Sequence, residues 1–345
     1  MKLTSKPFGT TKNGEAVTCY TMTNAKGNYV NFIDYGATIQ AIVLHDKDNT
    51  PIDVALGYDT IEGYENGIDY FGAFIGRVAN RLELSRFDLN GKTYMLAVND
   101  REKNHLHGGL KGFDKYMYSA AVTEDSICFS RISPDMEEGY PGNLTVSVTY
   151  KFTDDDVLSI HYNAKSDADT PVNLTNHSYF NLNGHDSGCI ENHTLCLNAS
   201  LFTENCDEGF PNGNITSVKN TAFDFCTPKK IGRDINMDDV QLTDASGYDH
   251  NFIPDGMGFR KIAEACGDIS GISMEVWSDM PGVQFYSGNY TKEQTGKNNA
   301  TYGPRCAFAL ETQYYPNAMF KTHFPSIVLA ADDIYESETQ YRFKV

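Results

Sequence analysis

The sequence predicts one all-β domain spanning residues 1–345, a large twisted antiparallel β-sandwich with few short helices. Segment after segment alternates apolar and polar residues with a period of two, the mark of a strand with one buried face. An Asn90-Gly91 pair between two such segments is the strongest short-range sign of a hairpin, so the pairing is expected to be antiparallel. Helical periodicity is scarce, and no Gly/Ser-rich or Pro-rich tract or fixed-period repeat divides the chain. Two sheets packed face to face would bury one side of each and leave the other for water or a ligand.

In chain order, Tyr29-Val30-Asn31-Phe32-Ile33-Asp34-Tyr35 reads as a strand, Gly36 as a break, and Ile39 to Leu44 as a strand buried on both faces. Arg86-Phe87-Asp88-Leu89 and Lys92-Thr93-Tyr94-Met95-Leu96 flank the Asn-Gly turn. Leu144, Val146, Val148, Tyr150 and Phe152 alternate with polar residues up to an acidic turn at Asp154-Asp155-Asp156. Leu158, Ile160, Tyr162 and Ala164 then resume the pattern, which places His161 on the solvated face. A further hairpin is expected from Ile272, Met274 and Val276 to Val283, Phe285 and Tyr286 through Asp279-Met280-Pro281-Gly282. Brief helices are expected at Pro228 to Met237 and near Lys261 to Ala265, too short to build a βαβ layer.

Composition excludes some partners. Lys+Arg 28 against Asp+Glu 46 leaves a formal charge of −18, which repels nucleic-acid backbones and anionic lipid surfaces. Tyr 21 and Phe 20 supply stacking platforms that suit pyranose faces. The start, Met1 to Phe8, lacks the apolar run of a secretory signal, and no segment reaches transmembrane length, so a soluble cytoplasmic protein is expected. The eight cysteines form no Cys-x-x-Cys pair and are expected as reduced, mostly buried thiols.

The chemistry concentrates in a few stretches. Pro171-Val172-Asn173-Leu174-Thr175-Asn176-His177-Ser178-Tyr179-Phe180-Asn181-Leu182 reads as a half-buried strand with Asn173, Thr175, Asn181 and His177 on the polar face. Polar handles beside flat apolar surface are what a sugar ring needs, and His177 is the candidate proton donor. A histidine satisfied by a neighbouring carbonyl is the competing explanation. Glu311 emerges from the apolar run Cys306-Ala307-Phe308-Ala309-Leu310, where desolvation pushes a carboxyl pKa upward and makes it a better base; a strand-end ion pair with an arginine is its plain alternative. Arg81, in Gly76-Arg77-Val78-Ala79-Asn80-Arg81, offers a fork of donors to hydroxyls or to a carboxylate. In Asn104-His105-Leu106-His107-Gly108-Gly109, one histidine should face the cleft and the other should not. Cys189, His193 and Cys196 have loosely ligand-like spacing but no fourth ligand, and neither a dinucleotide fingerprint, a Walker loop nor a Gly-x-Ser-x-Gly elbow occurs.

Gly76-Arg77-Val78-Ala79-Asn80-Arg81, Leu106-His107-Gly108-Gly109, Asn173 to Leu182, Tyr248-Asp249-His250-Asn251, Pro281-Gly282-Val283-Gln284-Phe285-Tyr286 and Leu310-Glu311-Thr312-Gln313 together resemble the galactose mutarotases, that is, the aldose 1-epimerases. The likeness runs from about Thr18 to Val345. It implies a galactose mutarotase-like supersandwich with an open sugar cleft and neither cofactor nor metal. It also implies His177 as acid and Glu311 as base, with sugar contacts from Asn80, Arg81, His107, Ser178, Tyr179, Asp249 and Gln284. The implied partner is a small aldose such as galactose or glucose, for a monomer or weak homodimer that binds neither nucleic acid nor membrane. A hexose-6-phosphate 1-epimerase would share the acid–base pair but needs more cations than these motifs supply. A non-catalytic carbohydrate-binding sandwich would have no need to set a carboxylate against an imidazole. No role attaches to Asp186 to Cys206 or to Lys292 to Tyr302.

Overall fold

A computed structural model describes residues 2–345, and all its strand pairs are antiparallel among the described residues. One layer is a nine-stranded sheet in the order Ser119–Val122, Ile127–Ser133, Leu144–Phe152, Val157–Ser166, Ile334–Lys344, Ser273–Ser278, Arg260–Cys266, Thr194–Leu197, Lys229–Lys230. Opposite it lies a six-stranded sheet, Tyr179–Phe180, Phe308–Gln313, Gly282–Tyr286, Asp249–Ile253, Leu201–Asn205, Pro211–Ser217. An Ala55–Phe180 bridge joins this to a five-stranded N-terminal sheet running Lys2–Thr10, Ala16–Thr23, Tyr29–Ile33, Thr38–His45, Pro51–Asp53.

The layers share one core, because alternate residues of each strand point inward. Val146, Val148 and Tyr150 from the nine-stranded sheet meet Phe32 and Ile42 from the N-terminal sheet and Phe285 and Leu310 from the six-stranded sheet. Phe32 stacks on Tyr150 with centroids 4.7 Å apart, and Phe180 meets Tyr341 edge-on at 5.0 Å. The Tyr150 hydroxyl, deep between layers, donates to the Ala37 carbonyl at 2.7 Å.

The expected all-β sandwich is therefore present, as are the Asn90-Gly91 hairpin, the Leu144–Phe152 to Val157–Ser166 hairpin and an exposed His161. Three local expectations fail. The segment after Asp279 does not fold back as a hairpin: Ser273–Ser278 belongs to the nine-stranded sheet and Gly282–Tyr286 to the six-stranded one, so the Pro-Gly turn carries the chain between layers. Lys261 to Ala265 is strand, paired on both sides; pairing overrides the helix preference of Lys, Ala and Glu. Pro228 to Met237 holds the edge strand Lys229–Lys230 and a 3₁₀ turn at Ile231–Arg233 in place of a helix, and the α-helices among the described residues are Ile61–Asn66 and Val240–Ala245.

The central stretch also departs from a half-buried strand. Asn173, Thr175, Asn181 and His177 are buried along with Val172 and Leu174, because the stretch threads the interior. It makes three short pairings with different partners: Thr170–Pro171 with Val328–Leu329, Thr175–Asn176 with Phe74–Ile75, and Tyr179–Phe180 with Phe308–Gln313. Its amides replace water with protein partners, Asn173 exchanging hydrogen bonds with the Tyr314 backbone and Asn181 donating to the Gly188 and Cys306 carbonyls. All eight cysteines are free, but only Cys19 and Cys306 are buried, while Cys189 and Cys226 are exposed. No helix among the described residues is long and apolar enough to cross a membrane.

Candidate active site

The register of the six-stranded sheet explains the floor of the site. Opposed residues of antiparallel strands share a face, and Glu311 lies opposite Gln284, Gln284 opposite Asn251, Tyr286 opposite Asp249, and Tyr179 opposite Ala309. Leu310 and Phe285, one residue out of step, enter the core. Tyr179, Glu311, Gln284, Tyr286 and Asp249 therefore stand together on the face turned away from the nine-stranded sheet. A cavity of about 450 Å³ opens there, within the range of small-molecule sites.

Loops supply the remaining walls, among them Tyr70, Asn80, Arg81, His107 and His177. His177 Nε2 lies 3.6 Å from Glu311 Oε1, and the two residues are only 4% and 2% exposed. The imidazole is held between Tyr179, stacked at 4.9 Å, and Tyr70, stacked at 5.9 Å. Its Nδ1 finds no partner among the described residues, so none of their hydrogen bonds pins its tautomer. His107 differs. The Asn80 backbone N–H donates to its Nδ1 at 3.1 Å, so the neutral ring carries its proton on Nε2. Asn80, at φ 60°, also accepts from the Arg81 N–H through its side chain.

Arg81 donates through Nε to Asp100 at 3.1 Å and lies 3.9 Å from Asp249. Gln284 Nε2 donates to Asp249 Oδ1 at 2.7 Å. Burial dominates the electrostatics. It holds the Glu311 pKa well above 4.5, the Asp249 charge adding to the rise and Arg81 relieving part of it. It drives His177 down to about 3 and His107 well below 6.5, so both rings are held neutral. Asp249 is raised as well, by burial against the pull of Arg81 and Gln284.

His107, His177 and Glu311 bring one potential ligand atom each within 4.8 Å of one another, a spacing that a metal ion could use. The hydrogen bond from Asn80 argues against it, since it leaves His107 with an N–H where a ligand needs a lone pair.

Of the residues named from sequence, His177, Glu311, Asn80, Arg81, His107, Tyr179 and Asp249 line one cavity. Ser178 and Gln284 do not. The Ser178 hydroxyl donates to Asn176 Oδ1 at 2.6 Å behind the wall, and Gln284 reaches the site through Asp249. His105 faces away, between the Ala97 carbonyl and the Tyr140 hydroxyl, as the spacing requires. Arg77 is buried and its guanidinium ties Ser133, Pro141 and Gly142, so only the second arginine of that motif reaches the cleft. Cys189, His193 and Cys196 make no ligand cluster: His193 Nε2 accepts from the Leu182 N–H. Sequence reasoning missed Asp69, Tyr70, Asp100, Arg101, Tyr290 and Lys292 on the walls. The signal that could have pointed there, Tyr70-Phe71-Gly72 with its aromatic pair before a glycine, was not read as a turn.

An open β-sandwich whose outer face sets a buried carboxylate against a buried imidazole, among aromatic rings, defines a carbohydrate enzyme of the acid–base isomerase class. The sequence matches the family described as aldose 1-epimerase over residues 18–342. Galactose mutarotases of Bos taurus and Homo sapiens are 42% and 41% identical over 92% of this chain and 91% of theirs. The aldose 1-epimerase of Escherichia coli is 33% identical over 96% of each chain. Among solved structures, an aldose epimerase homologue from C. elegans superposes with a TM-score of 0.87 at 29% identity, covering 94% of this chain and 98% of that one. Galactose 1-epimerase from Lactobacillus acidophilus gives 0.87 at 25% identity, covering 99% and 98%. The chain belongs to the aldose 1-epimerase family.

Proposed function

We propose that this protein is an aldose 1-epimerase that interconverts the α and β anomers of galactose and glucose, with Glu311 as base and His177 as acid. The observation that carries the reading is the 3.6 Å approach of His177 Nε2 to Glu311 Oε1 on the wall of a sugar-sized cavity. Glu311 takes the proton from the C1 hydroxyl while His177 gives one to the ring oxygen O5, and the ring opens to the free aldehyde. The C1–C2 bond rotates, closure occurs on the other face of the carbonyl, and both protons return.

Burial favours this direction of transfer. Opening the ring turns a carboxylate and an imidazolium into a carboxylic acid and a neutral imidazole, so two buried charges disappear in the step. A raised Glu311 is a stronger base and a depressed His177 a stronger acid than either would be in water. Forming the charged pair in the closed-ring complex has a cost, which the attraction between the two groups at 3.6 Å offsets in part. The Nε2–H of His107, the Arg81 guanidinium, Asn80 and the Asp249 carboxylate offer donors and acceptors to the remaining hydroxyls, and Tyr179 an apolar face for the ring. Ser178 and Gln284 support these from behind. The protein acts in the cytoplasm on small free aldoses, as a single-domain monomer or weak homodimer, feeding hexose metabolism.

Polarimetry of freshly dissolved α-D-galactose, α-D-glucose and glucose 6-phosphate tests the reading in one series. Faster approach to equilibrium is expected for the two free sugars and little for the phosphate. His177→Asn and Glu311→Gln should keep the fold by circular dichroism and lose on the order of 10² or more in kcat. A variant that retains more than about a tenth of wild-type kcat removes that residue from the chemistry.

A further inference from the structure

Asp69 stands on the cavity wall and takes no part in the acid–base step. It precedes Tyr70 in the turn that closes over His177, where the Gly72 N–H donates to the His177 carbonyl at 3.0 Å. Its Oδ2 accepts from Gln294 Nε2 at 2.6 Å, and Gln294 Oε1 accepts from the Tyr58 hydroxyl at 2.6 Å. The carboxylate is thus held by one neutral donor, and among the described residues no hydrogen bond engages Oδ1. Lys292, on the same wall, is the cation that acts on it; burial outweighs both Lys292 and Gln294 and leaves the carboxyl raised. Asp69 and Asp249 line the cavity together with Tyr179 and Tyr286, and the charges of both carboxylates bear on both rings.

The segment that supports Gln294 is itself fixed at depth. Lys297 Nζ pairs with Asp53 at 2.5 Å and donates to the Gln40 carbonyl, the Asn298 N–H donates to Asp59, and the Tyr302 hydroxyl meets His185 Nδ1 at 3.0 Å. A partly desolvated carboxylate with one oxygen held and one free gains from a hydroxyl donor in the cavity. The C1 hydroxyl is committed to Glu311.

We propose that Asp69 is a specificity-determining residue: its Oδ1 accepts a hydrogen bond from an aldose hydroxyl other than the one on C1, and the segment from Lys292 to Tyr302 holds it in position through Gln294. The inference rests on the anomer-exchange reading above. It makes Asp69 a contributor to sugar binding and not to proton transfer.

The test pairs polarimetric kinetics with calorimetric binding of D-galactose for wild type, Asp69→Ala, Asp69→Asn and Gln294→Leu. KM and Kd should rise about tenfold for Asp69→Ala, somewhat less for Asp69→Asn and about threefold for Gln294→Leu, with kcat within about threefold throughout. Among the 2-, 3-, 4- and 6-deoxygalactoses, one should lose as much with wild type as galactose loses with Asp69→Ala, and should lose nothing more with that variant. A structural role alone would not single out one hydroxyl. KM and Kd within twofold of wild type for Asp69→Ala, or equal ratios for all four deoxy sugars, overturn the proposal. A wild type that binds galactose without turning it over sinks the anomer-exchange reading, and the Kd ratio still decides Asp69.

Discussion

At the scale of single residues, the proposed chemistry reduces to how many protons His177 and Glu311 hold between them. The pair is productive with one: with two there is no base, and with none there is no acid. Burial moves its two titrations apart, His177 down to about 3 and Glu311 well above 4.5, so the one-proton form spans the pH range between them. The sign of the pH dependence follows. On the acid side kcat/KM is lost only as pH approaches about 3, where His177 gains a proton while Glu311 keeps its own. On the alkaline side it falls as Glu311 gives up the last shared proton. Above that loss the profile should stay flat until Glu311 deprotonates, without the acid-side loss near 6.5 that a solvated imidazole beside a protonated carboxyl would impose. Stopped polarimetry across this range checks it, and a loss of activity through pH 6.5 on acidification would show that His177 titrates as an ordinary exposed histidine.

At the scale of elements, the site depends on how a flat sheet face meets a tightly turned rim. Gly72 closes the rim turn at φ 67°, and a Cβ there would run into the Ile39 carbonyl as well as strain the backbone. Gly72→Ala should destabilise the fold by about 2 kcal/mol or more and displace Asp69 and Tyr70 from the cavity, raising KM and lowering kcat together; normal kinetics with normal stability would place the turn outside the working site. This turn also marks where sequence reading stops. His177 and Glu311 could be singled out because each sits in a motif whose residue types suit a proton transfer, Glu311 at the end of the apolar run Cys306 to Leu310; that both line one cavity was not in the sequence. Asp69 and Tyr70 could not be singled out, because their roles come from a turn packed on strands remote in the chain. The same limit explains the sheet switch after Asp279. A Pro-Gly turn between two alternating segments looks alike whether the second strand returns to its neighbour or crosses to another layer, and only the long-range partners Phe308–Gln313 and Asp249–Ile253 decide. Lys261 to Ala265 shows local preference yielding to pairing on both sides.

At the scale of the whole molecule, we propose from the connectivity that the two layers fold as a single unit. The C-terminal strand Ile334–Lys344 lies inside the nine-stranded sheet, pairing with Val157–Ser166 on one side and Ser273–Ser278 on the other, while strands of the six-stranded sheet fall between these in sequence. Neither layer can close without the other, since Leu310 and Phe285 lose their apolar surroundings if the facing sheet opens. The chain has one tryptophan, Trp277, which stands on Ser273–Ser278 with the Arg342 guanidinium 4.1 Å over its ring, and so reports on the nine-stranded sheet alone. On the proposed mechanism, catalytic turnover reports on the six-stranded sheet, where Glu311 stands. Urea titrations followed by Trp277 fluorescence and by residual mutarotation should therefore share one midpoint, as a single cooperative domain requires. A chain ending at Asp333 lacks the strand that joins both halves of the larger sheet and should show no cooperative transition at all. Separate midpoints, with turnover surviving after the fluorescence change is complete, would mean that the sugar-binding layer folds by itself and that the acid–base pair needs no support from the sheet beneath it.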